Sequence, residues 1–353
     1  MTVVIKVNEL RPERRVIEVV GRLLRDGYLI AFPTETVYGL GANAFDFQAV
    51  VNVFKAKDRP PTNPLIVHLH SAKQLMCVVS EVGDDALKLI RRFWPGPLTI
   101  VLKKVRDLPS VVTGGLDKVG VRVPAHPVAL ELLKECGEPV VAPSANKSGG
   151  ISPLTANDVI EELSNYVNVV LDSGETYLGI ESTVIDLTTK PPRILRLGSL
   201  PVEEIKSALG TEVIVTQDVK GLGRGHTSFS RFKHYGIGKP MYLVEASDYS
   251  NLRLLTDHVK DLVRKLLRRG RVAVLATNET VRYYEDLRSE GCVIMNLGPR
   301  NEPYLIGKSL FKLLRKIRKL SIDYIVAEGI EDRGLGSAIM SRLRVASTKV
   351  IKV

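Results

Sequence analysis

Apolar residues recur in two spacings along the first 200 residues of this chain. Arg11–Arg25 places them three and four apart behind a proline, which predicts an amphipathic helix. Phe47–Ala56, Asp84–Trp94, Val128–Glu135 and Thr155–Leu163 repeat that spacing. Between them lie short β-branched runs bounded by Pro and Gly: Tyr28–Phe32, Leu98–Leu102, Val119–Val123, Val140–Ala142, Val169–Leu171, Ser182–Leu187 and Ile194–Leu197. Such runs read as strands. Helices mixed with strands in this way predict an open α/β sheet.

Gln217–Pro240 breaks the rhythm, with Gly221, Gly223, Gly225, Gly236 and Gly238 and little apolar periodicity. It reads as a linker or a lid. Beyond it, strands (Met241–Glu245, Val272–Ala276, Cys292–Leu297, Tyr324–Ala327 and one near Val350) alternate with helices (Leu252–Arg269, Thr280–Ser289, Tyr304–Leu320, Gly336–Val345). Strict alternation predicts a smaller, doubly wound parallel domain. The expected organisation is therefore a first domain at 1–210, a linker at 211–240 and a second domain at 241–353.

Charge sharpens this division. Residues 1–205 hold 23 Lys and Arg against 24 Asp and Glu, whereas 206–353 hold 27 against 15, so the net charge of +11 belongs to the second part. A polyanion would meet that part, although a solvated basic surface explains the charge equally well. No apolar run approaches the roughly 20 residues that a membrane helix needs. The N-terminal Met1–Lys6 is a short amphipathic start without signal-peptide character. Cys77, Cys136 and Cys292 are scattered and odd in number, which fits a reducing cytoplasm and suggests no zinc site.

Three loops carry the candidate chemistry: Pro33–Gly41, Lys57–His68 and Ala142–Ser152. They are rich in Pro, Gly and small hydroxyls, and each adjoins a strand. No Gly-Lys-Ser/Thr follows the glycine spacing of a P-loop, and Gly39-Leu-Gly41 lacks the rest of a dinucleotide fingerprint. A nucleotide must be held otherwise. Lys57 and Arg59, on alternate residues, face one ligand if the backbone there is extended. Two cations would then neutralise charge developing on a phosphate chain. Pro143–Gly150, between a strand and a helix, offers small residues and free N–H groups as an anion nest, or a plain turn capped by Ser152 or Thr155. Arg122 and Arg196 interrupt apolar strands, so each must be paired or face a cleft. His68, alone at the end of an apolar run, reads first as structural.

Pro33-Thr-Glu-Thr-Val-Tyr-Gly-Leu-Gly41, Lys57-x-Arg-Pro with Asn63-Pro-Leu-Ile-Val-His68, Phe93-Trp-Pro-Gly-Pro-Leu-Thr99, Val121-Arg-Val-Pro124, Ala142-Pro-Ser-Ala-Asn146 and Glu181-Ser-Thr-Val184 together resemble the YrdC-type threonylcarbamoyl-AMP synthase family. The likeness runs from residue 1 to about 205. The remainder resembles the long form, which adds a linker and a Rossmann-like C-terminal domain; Gly334-Leu-Gly-Ser-Ala-Ile-Met-Ser-Arg-Leu343 fits that domain's end. The resemblance implies a nucleotidyltransferase that converts L-threonine, bicarbonate and ATP to threonylcarbamoyl-AMP and pyrophosphate. A separate tRNA threonylcarbamoyl-transferase complex would then modify an adenosine of tRNA. It implies Lys57 and Arg59 as catalytic residues. Thr34, His68, Arg122, Ala142 and Ser182 would surround threonine. Lys57, Arg59, Asn63, Ser144, Asn146, Ser152, Arg196 and linker residue Tyr235 would hold ATP. Mg²⁺ would ride on the phosphates, with no dedicated protein site.

Two departures stand out. Leu154 occupies a position where the family often has Thr, and His234-Tyr-Gly-Ile237 lacks the prolines that usually flank this pair. Two other functions remain open. A carbamoyl transferase of the hydrogenase-maturation type would carry Cys-rich zinc modules, which three scattered cysteines do not supply. A non-enzymatic RNA-binding protein would account for the basic second part, but the sequence displays no aromatic stacking platform.

Overall fold

The structure, a computed structural model, describes residues 1–216 and 236–353. Most of the expected linker, with His234 and Tyr235, lies outside the described residues. The chain falls into two compact units. The first holds Met1–Ser148 and the chain from Ser152 to the undescribed segment; the second holds Gly149–Ile151 and the chain beyond that segment.

The first unit is built on strands β1 (Val3–Lys6), β2 (Ile30–Phe32), β3 (Gly39–Asn43), β4 (Ile66–His68), β5 (Leu98–Lys103), β6 (Lys118–Arg122), β7 (Val140–Val141), β8 (Val169–Asp172), β9 (Thr183–Asp186), β10 (Arg193–Arg196) and β11 (Ile214–Val215). They form one mixed sheet in the order β1-β8-β2-β3-β7-β4-β6-β5-β9-β10-β11. Its helices are α1 (Arg14–Arg25), α2 (Phe47–Lys57), α3 (Asp84–Phe93), α4 (Pro127–Cys136), α5 (Ala156–Leu163) and α6 (Val202–Leu209).

Side chains of a strand alternate between the two faces of its sheet, and here alternate residues enter different cores. Ile30, Phe32, Val140, Val169 and Leu171 pack with α1 and α4. Ala31, Val141 and Val170 pack with α2, α3, α5 and α6. A sheet covered on both faces explains why its strands read as apolar runs rather than alternating patterns.

Several elements of this unit differ from the sequence reading. Val3–Lys6 is a strand pairing parallel with β8. Gly39–Asn43, expected as loop, is a strand antiparallel to β2. Its glycines hid it: a Cβ at Gly41 would lie 2.8 Å from the ring of Phe32, so the close packing excludes the β-branched residues that mark a strand. Val202–Leu209, a further helix, starts directly after Pro201.

The second unit is a five-stranded sheet of β12 (Met241–Glu245), β13 (Val272–Ala276), β14 (Val293–Asn296), β15 (Tyr324–Glu328) and β16 (Lys349–Lys352) in the order β14-β13-β15-β12-β16. Every pairing in it is parallel, as the strict alternation predicts. Helices α7 (Leu252–Leu267), α8 (Glu285–Ser289), α9 (Pro303–Lys319) and α10 (Leu335–Ala346) connect the strands. The helix expected over Thr280–Ser289 is split: Val281–Tyr284 is a 3₁₀ turn that leads into α8. Tyr284 is held there by its hydroxyl, which donates to Glu328 at 2.9 Å. Glu328 is fully buried and also accepts from Thr277 N, Thr277 Oγ1 and Thr280 Oγ1 at 2.7, 2.6 and 2.6 Å. A buried carboxylate so saturated locks the ends of β13 and β15 together.

Candidate functional site

The three motif loops, apart from Gly149–Ile151, meet in the first unit. Leu40 N donates to Pro143 O at 2.8 Å and Ala145 N to Tyr38 O at 2.9 Å, which pins 143–145 along β3. Leu178 N and Gly179 N donate to Glu35 O and Thr36 O and fix the 34–36 loop. Ala142 N donates to Ile66 O at 3.0 Å, which sets it beside β4.

Lys57 is the last residue of α2, only 1% exposed, and donates to the carbonyls of Ser144 and Asn146. Its backbone carbonyl accepts from Ser148 N at 2.7 Å. This revises the expected extended backbone. Asp58 takes a left-handed conformation (φ +50°), ends the helix and turns the chain toward Arg59. Arg59 donates to Asn63 O at 3.2 Å and Pro64 O at 2.9 Å. Burial, with Arg59 second, lowers the Lys57 pKa well below its ordinary value. Burial and Arg196 bring Arg59 down to about 10.

A row of residues crosses the sheet. His68 lies opposite Arg122 in the β4–β6 pairing. Thr99 lies opposite Val184, and Val184 opposite Arg196. Arg122 donates from Nε to Gly96 O at 3.1 Å and from Nη1 to Thr36 Oγ1 at 3.0 Å, and its Nη2 is 2.6 Å from Glu35 Oε1. Thr34 Oγ1 is 2.8 Å from Thr36 Oγ1 and donates to Val37 O at 2.7 Å. Arg196 grips Ser182, with Nε and Nη2 on its carbonyl at 3.0 and 2.9 Å and Nη2 on Oγ at 3.0 Å. Ser182 Oγ also lies 2.8 Å from Thr99 Oγ1. Gly198 permits this approach, since a Cβ there would sit 2.2 Å from the backbone of Ser182 and Thr183.

Charge runs continuously through the site. Burial first, then Arg122 and Arg196, pushes the His68 pKa down to about 3, so its imidazole is neutral at ordinary pH. Arg196 in turn depresses Arg59, and Arg59 depresses Lys57. Four cations and a neutral histidine thus share one region, with Glu35 and Glu181 as its acids. Ser152, a possible helix cap in the sequence, instead donates to Glu181 Oε1 at 2.6 Å. Thr155 takes the cap of α5 in a capping box with Asp158.

At the site, Asn63 Oδ1, Asn146 Oδ1 and Glu35 Oε2 are buried acceptors without a hydrogen bond among the described residues. Such groups are rare in folded proteins and mark where a ligand or water donates. No three His, Cys, Asp or Glu side chains converge as metal ligands among the described residues. The three loops hold nine of the thirteen residues expected from sequence; Arg122 on β6, Ser182 just before β9 and Arg196 on β10 are three more, and the thirteenth, Tyr235, lies outside the described residues. The sequence reading missed Glu35, Thr36 and Thr99. The signal was present: an arginine on an apolar strand requires a partner, and Thr34-Glu-Thr36 stood in the motif beside it.

Residues 22–198 match the family model described as telomere recombination, and residues 201–348 match that of the threonylcarbamoyl-AMP synthase C-terminal domain. A threonylcarbamoyl-AMP synthase of Pyrococcus abyssi is 42% identical, covering 100% of both chains.

The chain belongs to the threonylcarbamoyl-AMP synthase family.

A Bacillus subtilis member of this family is 36% identical over 94% of this chain and 92% of its own. The crystal structure of P. abyssi Sua5 complexed with L-threonine superposes with a TM-score of 0.88 at 40% identity, covering 99% of each chain. The family's two-domain form is thus present throughout, a mixed α/β unit followed by a Rossmann-like parallel one. No described helix is long and apolar enough to cross a membrane.

Proposed function

We propose that this chain is a threonylcarbamoyl-AMP synthase, joining L-threonine, bicarbonate and ATP and releasing pyrophosphate. One observation carries the reading: Lys57, Arg59, Arg122 and Arg196 are electrostatically linked across buried hydroxyls and a neutral histidine. Such a site accepts a carboxylate and a polyphosphate together.

In this reading Arg122, held by Glu35, Thr36 and Gly96, faces the threonine carboxylate. Thr34, Ser182, the Ala142 backbone and neutral His68 complete the amino-acid pocket. The threonine amine attacks the bicarbonate carbon, water leaves, and a carbamate results. A carbamate oxygen then attacks the α-phosphorus and pyrophosphate departs. Lys57, Arg59 and Arg196 stabilise the charge that develops on the phosphates. Carbamates lose CO2 in water, which favours a buried reaction centre. Ser144, Asn63, Asn146 and Ser152 position the nucleotide, and the orphaned amide oxygens of Asn63 and Asn146 suit donors on it. Mg²⁺ would enter on the phosphates of ATP. The chain's own part is to hold those phosphates. Tyr235 belongs to the same proposal as a nucleotide contact from the linker. The product is passed to a tRNA threonylcarbamoyl-transferase complex.

Pyrophosphate release tests this directly. It should require ATP, L-threonine and bicarbonate together. Equal release without threonine, or with carbamoyl phosphate in place of threonine and bicarbonate, would overturn the assignment.

A further inference from the structure

Asp58 stands between Lys57 and Arg59, the two cations that stabilise the phosphates in the proposed reaction. Among the described residues it is the one residue other than glycine with a positive φ, at +50°. Aspartate and asparagine enter that conformation more readily than other side chains. The Asp58 carboxylate reaches across to the 142–152 loop, where Lys147 Nζ donates to its Oδ2 at 2.7 Å.

Lys147 is held from two further sides. Its backbone N–H donates to Glu162 Oε2 on α5 at 3.0 Å, and its ammonium stands 4.3 Å from the centre of the Tyr166 ring. The next residue, Ser148, donates from its backbone N–H to Lys57 O at 2.7 Å. Two adjacent residues of the loop therefore grip two adjacent residues at the end of α2. Ser144 and Asn146 on one side of this junction, and Lys57 and Arg59 on the other, are the groups placed around ATP. Burial and Arg59 lower the Lys57 pKa most; Glu162 opposes that and Lys147 adds to it, so both lie within field range of the ammonium. An ion pair this open, with side chains 31% and 72% exposed, adds little to the stability of the fold. What it sets is the spacing of two loops that must meet one ligand together, and reaction geometry is sensitive to displacements of about 1 Å.

We propose that Asp58 and Lys147 form a latch that positions the 144–146 loop against Lys57 and Arg59, which makes both of them positioning residues for ATP. The inference rests on the assignment of those loops to the nucleotide.

Steady-state pyrophosphate release by the full chain tests it, with ATP varied at saturating L-threonine and bicarbonate, then L-threonine varied at saturating ATP. Asp58→Asn keeps a residue suited to the left-handed turn and removes the charge; Lys147→Met keeps an unbranched apolar stem. Each should raise the ATP KM about 3- to 10-fold, the worth of an exposed ion pair with or without its aromatic contact. The L-threonine KM and Tm should stay at wild-type values. The double variant should be no worse than Lys147→Met, because both changes cut one link. Lys147→Arg, which keeps a cation for Asp58 and for the ring, should stay near wild type. If Lys147 met the phosphates directly, Asp58→Asn would release it and lower the ATP KM, and that result overturns the latch. So do wild-type KM values in both single variants, additive losses in the double variant, or an ATP KM that rises only together with a fall in Tm. A wild-type chain that releases no pyrophosphate sinks the functional reading itself; a wild-type chain that releases it, with variants that match it, sinks the latch alone.

Discussion

Replacing Lys57 by Met keeps the length and apolar stem of the side chain and removes its charge. From sequence this residue belonged to a polar loop, and its loss should spare the fold. The structure predicts otherwise. The Lys57 ammonium satisfies Ser144 O and Asn146 O, and the side chain is buried. Leaving two buried carbonyls without a donor costs about 1–3 kcal/mol each. Relief of the ammonium's own desolvation offsets part of that, so a net loss of about 2–4 kcal/mol is expected. In a unit of this size each kcal/mol lowers Tm by roughly 2–4 °C, which gives a fall of about 4–16 °C. Turnover should drop about 10²- to 10³-fold, the loss typical of one preorganised charge stabiliser. Calorimetry and pyrophosphate release, measured on the same sample below the lowered Tm, separate the two effects. An unchanged Tm would show that Lys57 does not hold the 144–146 loop. A folded variant with near-normal turnover would remove Lys57 from the reaction.

Ser182→Ala removes the hydroxyl shared with Thr99 and Arg196 but leaves Arg196 on the Ser182 carbonyl. L-threonine should bind about 10-fold more weakly, the worth of one hydrogen bond, with a smaller effect on ATP; a titration showing the reverse preference contradicts the placement. His68 gives a pH prediction. Its folded pKa, about 3, lies below the usual 6.5, so the folded state binds fewer protons. Its contribution to stability is whole above pH 6.5 and is lost as pH falls toward 3, by up to about 1.4 kcal/mol per unit. His68→Gln should flatten the stability profile between pH 6.5 and 4.5 relative to wild type, and parallel profiles would refute a buried, neutral histidine.

The sequence by itself determined the elements and the chemistry on offer. Helix and strand periodicities are local, so helices over Phe47–Ala56 and Asp84–Trp94, each within a residue of the observed end, and the alternating β-α pattern after Met241 could be read directly. Arg122 and Arg196 on apolar strands announced a charged site because a buried cation must find a partner. Tertiary structure alone decided which partner. Arg122 meets Thr36, 86 residues away, and Lys57 meets Asn146, 89 residues away. Neither pairing has a local signature. The placement of β7 between β3 and β4, the burial of Lys57 and the meeting of Lys147 with Asp58 follow from that same long-range pairing of strands. Sequence spacing fixes which face of its own element a residue occupies. Only the assembled sheet fixes what stands opposite, because strand order is settled by packing summed over the whole core.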